Sequence, residues 1–151
     1  MVSHSTERDT NREVVRKYFE SHGEARLALF ADDGIKEIPF WSTDGKPRLL
    51  EGRAALRENF LRNAIVYTDW SWRDVSIFDT QDPAQFFVEC HGGGTWKPTP
   101  DAEARGYANH YVMHFKLENA KIKHFREFFN PLLTAVATGG ELQKIKVLPL
   151  D

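Results

Sequence analysis

Apolar and polar residues alternate most clearly over Arg105 to Phe129. On the first arm, one parity holds Tyr107, Asn109, Tyr111, Met113 and Phe115, and the other holds Ala108, His110, Val112 and His114. Glu118 to Lys121 is a short polar turn, and Ile122 to Phe129 is a return arm rich in aromatic residues. A period of two on both sides of a polar turn predicts a β-hairpin.

Helical spacing of apolar residues before this hairpin predicts three helices. Thr10 and Glu13 have the spacing of a capping box, so the first helix is predicted to begin at Thr10, after a loose segment over residues 1–9. A short second helix is predicted over Glu24 to Phe30, and a third over Gly52 to Ile65. These helices all precede the longest run of predicted strands.

Alternating and β-branched segments predict four further strands. They cover Ile35 to Trp41, Pro47 to Leu50, Asp69 to Phe78 and Gln85 to His91. The three glycines at 92–94 are predicted to break or bulge the last of these strands.

Asn130-Pro131 predicts the N-terminus of a short final helix over Leu132 to Ala137. Residues 141–151 are predicted to form an extended C-terminal arm. The order of elements predicts an α+β fold, in which helices pack on one face of a strongly bent, largely antiparallel sheet. The length of 151 residues predicts a single domain.

The charge and composition of the chain limit its possible partners and cellular compartment. The formal net charge of −2 argues against a nucleic-acid partner, which would require a basic face. A single cysteine, Cys90, leaves no internal disulfide and suits a reducing compartment. No apolar run has the length of a membrane helix, so we expect a cytoplasmic protein without a membrane partner.

Glu127 is the clearest candidate for chemistry, because it is a carboxylic acid set among Phe125, Phe128 and Phe129. A carboxyl group against aromatic rings loses hydration, which favours its neutral form and makes it a proton donor near neutral pH. The alternative is that Glu127 only pairs with Arg126 or another cation at a sheet edge.

Three polar residues are predicted to join Glu127 around an apolar pocket: Asn59 on the third helix, and Tyr107 and His110 on the hairpin. His110 and His114 are four residues apart on a predicted strand, about 13 Å, which is too far for two imidazoles to share one ion. The sequence also has no HExxH motif and no cysteine pair, so no metal site is predicted.

Segments along most of the chain resemble the phenazine-biosynthesis A/B family, within the cone-fold superfamily of SnoaL-like cyclases and nuclear transport factor. The matching segments are Asn11-Arg12-Glu13-Val14-Val15 with Lys17-Tyr18, Leu29-Phe30 with Asp33-Gly34, Asp69-Trp70 with Trp72, Ile77-Phe78 with Thr80 and Asp82-Pro83, Phe87-Val88-Glu89-Cys90, Asn109-His110-Tyr111, and Ile122-Lys123 with Arg126-Glu127-Phe128. Each segment is short, but together they are specific at family level.

The resemblance implies a cofactor-free homodimer that assists the condensation of two molecules of an amino-oxo-cyclohexene carboxylic acid. It implies that Glu127 is the acid–base residue and that Tyr107 contributes to the pocket. Trp72, Asn63 and Arg26 complete the predicted substrate-binding set.

Asn59 stands where the family has a histidine on the middle helix. An asparagine can hydrogen-bond a carbonyl or carboxylate but cannot exchange a proton near pH 7. The change leaves two classes open. One is an enzyme for this condensation, or for a related cyclisation or isomerisation in secondary metabolism. The other is a non-catalytic protein that binds a small molecule.

Overall fold

The computed structural model describes residues 4–139, and the predicted C-terminal arm at 141–151 lies outside this range. The elements follow in the order α1 (His4–Glu20), α2 (Gly23–Leu27), β1 (Phe30–Ile38), β2 (Arg48–Glu51), α3 (Gly52–Val66), β3 (Tyr67–Asp79), β4 (Gln85–Trp96), β5 (Arg105–Glu118), β6 (Lys121–Phe129) and α4 (Pro131–Ala137). No helix of this part of the chain is long and apolar enough to cross a membrane.

The strands form one six-stranded sheet in the order β2-β1-β6-β5-β4-β3. Strands β5 and β6 are the predicted hairpin. Strand β1 runs parallel to β6, while the other neighbouring strands are antiparallel, so the sheet is mixed. Irregular register within β1/β6 and β3/β4 marks bulges, which add bend and twist. The α+β fold, with helices on a curved sheet, is confirmed.

The core lies between the helices and the inner face of this sheet. Tyr18 of α1 joins the two layers, since its ring packs edge-on against Phe115 and lies 4.9 Å from the ring of Phe125. Phe60 of α3 packs on Phe30 of β1 at 5.2 Å. Aromatic residues are large enough to fill the interior of a strongly bent sheet, and such pairs add about 0.5–1.5 kcal/mol beyond their buried area.

The first helix begins at His4, six residues before the predicted start at Thr10, so residues 4–9 are helical rather than loose. Tertiary contacts explain the difference. Arg8 donates to the carbonyl oxygen of Thr80 at 3.0 Å, and Asn11 donates to that of Pro83 at 3.1 Å. These bonds hold the polar end of α1 against the β3–β4 turn. The second helix ends at Leu27, and Phe30 already belongs to β1.

The three glycines do not break β4, which continues through them to Trp96. Gly92 and Gly94 leave space beside the tryptophans of β3. A Cβ atom on Gly92 would lie 2.6 Å from ring atoms of both Trp70 and Trp72, and one on Gly94 would lie 2.6 Å from the carbonyl oxygen of Thr68. Glycine at these positions therefore lets two long strands and two indole rings pack closely.

Candidate functional site

A cavity of about 390 Å³ lies between the inner face of the sheet and helices α2 and α3. Among the described residues, ten aromatic side chains line it. Trp70 stacks on Tyr107 at 5.9 Å, and Trp72 packs edge-on against Tyr111 at 5.2 Å. The size and apolar walls suit a small organic ligand, with a few polar groups to orient it.

The structure brings six of the predicted site residues together around this cavity. They are Arg26, Asn59, Asn63, Trp72, Tyr107 and Glu127. They come from α2, α3 and three different strands, and only the fold unites them. Their proposed roles toward a ligand stay predictions.

His110 was predicted to join this cluster, and its placement there is wrong. It lies opposite His91 on the other face of the sheet, where its ring stacks on that of His91 at 4.5 Å. Its Nε2 atom is 2.9 Å from Oε1 of Glu89, and more than half of each side chain is exposed. Strand geometry explains the error, because Tyr107 and His110 have opposite parity and therefore point to opposite faces.

Glu127 makes an ion pair with a residue that the sequence reasoning missed. Lys36 of β1 places its Nζ atom 3.1 Å from Oε2 of Glu127, with side-chain exposures of only 5% and 12%. Of the alternatives expected for Glu127, pairing with Arg126 does not occur, since Arg126 contacts Glu37 instead, while pairing with another cation does. The cation for Glu127 thus comes from inside the cone rather than from the sheet edge.

Asn59 extends this pair into a chain of polar groups on the cavity wall. Its Oδ1 atom accepts hydrogen bonds from Nζ of Lys36 and from Nδ2 of Asn63, each at 3.4 Å. These bonds are long, so their contribution is weak in the absence of a ligand. The arrangement nevertheless places an amide, an ammonium and a carboxylate side by side.

A second polar network lies around the hydroxyl of Tyr107. That oxygen is 3.0 Å from the hydroxyl of Tyr111 and 2.9 Å from Oγ1 of Thr134, and Nδ2 of Asn109 donates to it at 3.1 Å. Burial raises the pKa of Tyr111, with the negative charge of Glu127 adding to the effect. Burial also raises the pKa of Tyr67 to about 12. Tyr111 and Tyr67 are therefore neutral hydrogen-bonding groups rather than bases near pH 7.

Positive charge predominates on the cavity wall. Among the described residues, its lysines and arginines are Arg26, Lys36, Arg48 and Arg62, and Glu127 is its acidic residue. Arg26 is held over the ring of Tyr18 at 4.6 Å, yet its Nε and Nη2 atoms are buried without a hydrogen-bond partner. The indole nitrogens of Trp70 and Trp72 are likewise unpartnered. The wall is rich in donors and positive charge.

Over residues 4–139, no group of three or more histidine, cysteine, aspartate or glutamate side chains is arranged to hold a metal ion. Cys90, the single cysteine, is buried, and burial raises the pKa of its thiol to about 12. A thiol in that state is a poor nucleophile and a poor ligand. The polar side chains on the cavity wall can donate and accept hydrogen bonds.

The mixed curved sheet, the covering helices and the aromatic-lined cavity between them define a cone-fold protein. An NTF2-like protein from Burkholderia xenovorans shares this fold, with a TM-score of 0.66 at 22% identity over 87% of this chain and 97% of that chain. The sequence model of the family described as Phenazine biosynthesis protein A/B matches residues 3–148. The chain belongs to this family.

Two relatives from Pseudomonas aeruginosa illustrate the similarity. Phenazine biosynthesis protein PhzA1 is 38% identical over 144 residues, covering 92% of this chain and 86% of the relative. Phenazine biosynthesis protein PhzB1 is 39% identical over 127 residues, covering 82% and 76%. A crystal structure of the phenazine biosynthesis-related protein phzb2 superposes with a TM-score of 0.85 at 31% identity, covering 98% of this chain and 97% of that chain.

Proposed function

We propose that this protein acts in phenazine biosynthesis, or in a closely related pathway, by assisting the condensation of two amino-oxo-cyclohexene carboxylic acid molecules. The reaction joins the amine of one molecule to the ketone of the other and releases water. Glu127 is the acid–base residue, and no cofactor takes part. The names of the relatives support the pathway, and the cavity supports the kind of ligand.

The observation that carries this proposal is the charge of the cavity. Four cations and one carboxylate line its described part, and buried donors of Arg26 have no acceptor. An unpaired buried donor costs about 1–3 kcal/mol, which a bound acceptor would recover. A carboxylate ligand supplies such acceptors and the missing negative charge. The aromatic walls suit the ring that carries it.

A second candidate function is sequestration of a reactive small molecule without catalysis. Asn59 favours it, since its amide binds but cannot exchange protons near neutral pH. The two candidates share a ligand and differ in whether Glu127 performs chemistry.

Glu127→Gln distinguishes them, because glutamine keeps the shape and a hydrogen bond to Lys36 but cannot exchange a proton. For the enzyme, we expect a loss of about 10²- to 10⁴-fold in the condensation rate of the amino-oxo-cyclohexene carboxylic acid. Calorimetry with cyclohexanecarboxylic acid checks that the site survives. A wild-type protein that binds but gives no acceleration is a binding protein, and the catalytic proposal fails.

The outer face of the sheet supports pairing with a second copy of the chain. Phe78, Phe87 and Val112 are 53%, 44% and 42% exposed on neighbouring strands β3, β4 and β5. An apolar patch of this kind on a sheet is typical of an interface, and closed twofold pairing is the commonest arrangement. Light scattering should give twice 17.4 kDa at micromolar concentration. A stable monomer contradicts this.

A further inference from the structure

Lys36 is the buried cation that neither the motifs nor the proposed role of Glu127 accounts for. It is 4% exposed and borders the cavity. Besides Glu127 and Asn59, its Nζ atom lies 5.8 Å from the ring centres of both Phe60 and Phe125. The ammonium group is thus held in one place by a carboxylate, an amide and two aromatic faces.

A buried ion pair is a costly way to stabilise a fold. Desolvating each ion costs several kcal/mol, and well-packed apolar residues of the same volume often give equal or greater stability. Here the pair also lies at the wall of a ligand-sized cavity, with the donor and acceptor 3.1 Å apart. Such a position serves proton transfer, in which one group must give a proton while its neighbour takes one.

We infer that Lys36 is a second catalytic residue of this cavity, whose ammonium group protonates the carbonyl oxygen of a cyclic keto acid while Glu127 accepts a proton from the attacking amine. This inference rests on the proposed function and names the group that completes it. It also explains how the site can exchange two protons although position 59 holds an asparagine, which does not exchange protons near pH 7.

The protons balance over the reaction. The amine nitrogen forms a bond to the carbonyl carbon, the C=O π electrons move to oxygen, and that oxygen takes the proton of Lys36. Glu127 removes the proton from the new ammonium nitrogen, giving a carbinolamine. Glu127 then protonates the hydroxyl group, which leaves as water as the C=N bond forms. The neutral amine of Lys36 takes the remaining proton from nitrogen, restoring both residues.

Lys36→Arg tests the inference, because arginine keeps the positive charge and the pairing with Glu127 but does not release a proton in proteins. We expect the condensation rate to fall by about 10²- to 10⁴-fold. Affinity for cyclohexanecarboxylic acid, which has no ketone to protonate, should be unchanged.

Two further variants control the experiment. Lys123→Arg makes the same substitution in the Lys123–Asp33 ion pair, which lies outside the cavity lining, and should retain the wild-type rate. The double variant Lys36→Met with Glu127→Gln replaces the charged pair by neutral groups, so it leaves no lone buried charge. It should fold, bind cyclohexanecarboxylic acid and fail to condense the substrate.

The outcomes separate this inference from the proposed function. A wild-type rate in Lys36→Arg overturns the inference alone. So does an equal loss of rate and of cyclohexanecarboxylic acid affinity, since that pattern marks a structural role. A wild-type protein that binds substrate without accelerating condensation overturns both.

Discussion

Each face of the sheet pairs a glutamate with a nitrogen-bearing side chain, and the two pairs have opposite surroundings. On the inner face Lys36 meets Glu127 at 3.1 Å, and on the outer face His110 lies 2.9 Å from Glu89. The inner pair is almost fully buried, whereas each outer side chain is more than half exposed. Similar distances therefore correspond to different energies, because water screens one pair and not the other.

This contrast also bears on function. An exposed charge is solvated by water, whereas a buried charge requires an oppositely charged partner or a ligand. The inner face has concentrated such charges around a cavity, and the outer face combines solvated polar groups with exposed Phe87 and Val112. We therefore propose chemistry on the inner face and association on the outer one.

The largest expected effect is on stability. Lys36→Met leaves Glu127 as an uncompensated buried charge, and we expect the free energy of unfolding at pH 7 to fall by about 3–5 kcal/mol. Urea denaturation measures this change. Adding Glu127→Gln to Lys36→Met should recover most of the loss, because the lone charge is removed.

The matched change on the outer face is His110→Ala, which removes one partner of an exposed pair. We expect a loss below about 1 kcal/mol. Equal losses for the inner and outer variants would contradict the distinction between the two faces.

Gly94→Ala tests how closely the inner face is packed. Its new Cβ would meet the carbonyl oxygen of Thr68 at 2.6 Å and the backbone of Trp70 at 3.1 Å, neither of which is a movable side-chain end. Overpacking of this kind costs about 1–3 kcal/mol. Gly106→Ala on the neighbouring strand is the control, since nothing lies within 4 Å of its Cβ position. Thermal unfolding should show a lower Tm for Gly94→Ala only.

Sequence patterns predicted the hairpin and the position of Glu127 on the same face as Phe125, because each depends on local alternation, while the catalytic role of Glu127 stays a prediction. The error with His110 came from grouping it with Tyr107 despite opposite parity, so stricter use of the period of two would have avoided it. Lys36 was missed for a different reason. In Ile35-Lys36-Glu37-Ile38, either parity holds one apolar and one charged residue, so the buried parity is set by pairing with β6.

Asn59→His tests whether position 59 of the cavity serves hydrogen bonding or proton transfer. The amide oxygen of Asn59 accepts from both Lys36 and Asn63, which one imidazole nitrogen would not reproduce. We expect no gain in condensation rate and weaker binding of the keto acid by about 3- to 10-fold, as for the loss of one hydrogen bond of about 0.5–1.5 kcal/mol. Calorimetry and a rate assay check this together. A clear rate increase would show that the position still serves proton transfer.

The smallest expected effect concerns His114, which is 9% exposed although it lies on the outer face. Burial lowers its pKa, with the charge of Arg126 adding to the effect. Just below the ordinary histidine pKa of about 6.5, the unfolded chain therefore binds a proton at His114 that the folded protein does not bind. The free energy of unfolding should fall as pH drops through that value and show no contribution from His114 above it.

His114→Gln removes the titrating group while retaining an amide beside Gln85, the present partner of its Nε2 at 2.9 Å. Urea denaturation above and below the ordinary value should show a smaller loss of stability on acidification in the variant than in the wild type. Identical pH dependence in the two proteins would mean that His114 takes up its proton as readily in the folded state as in the unfolded chain.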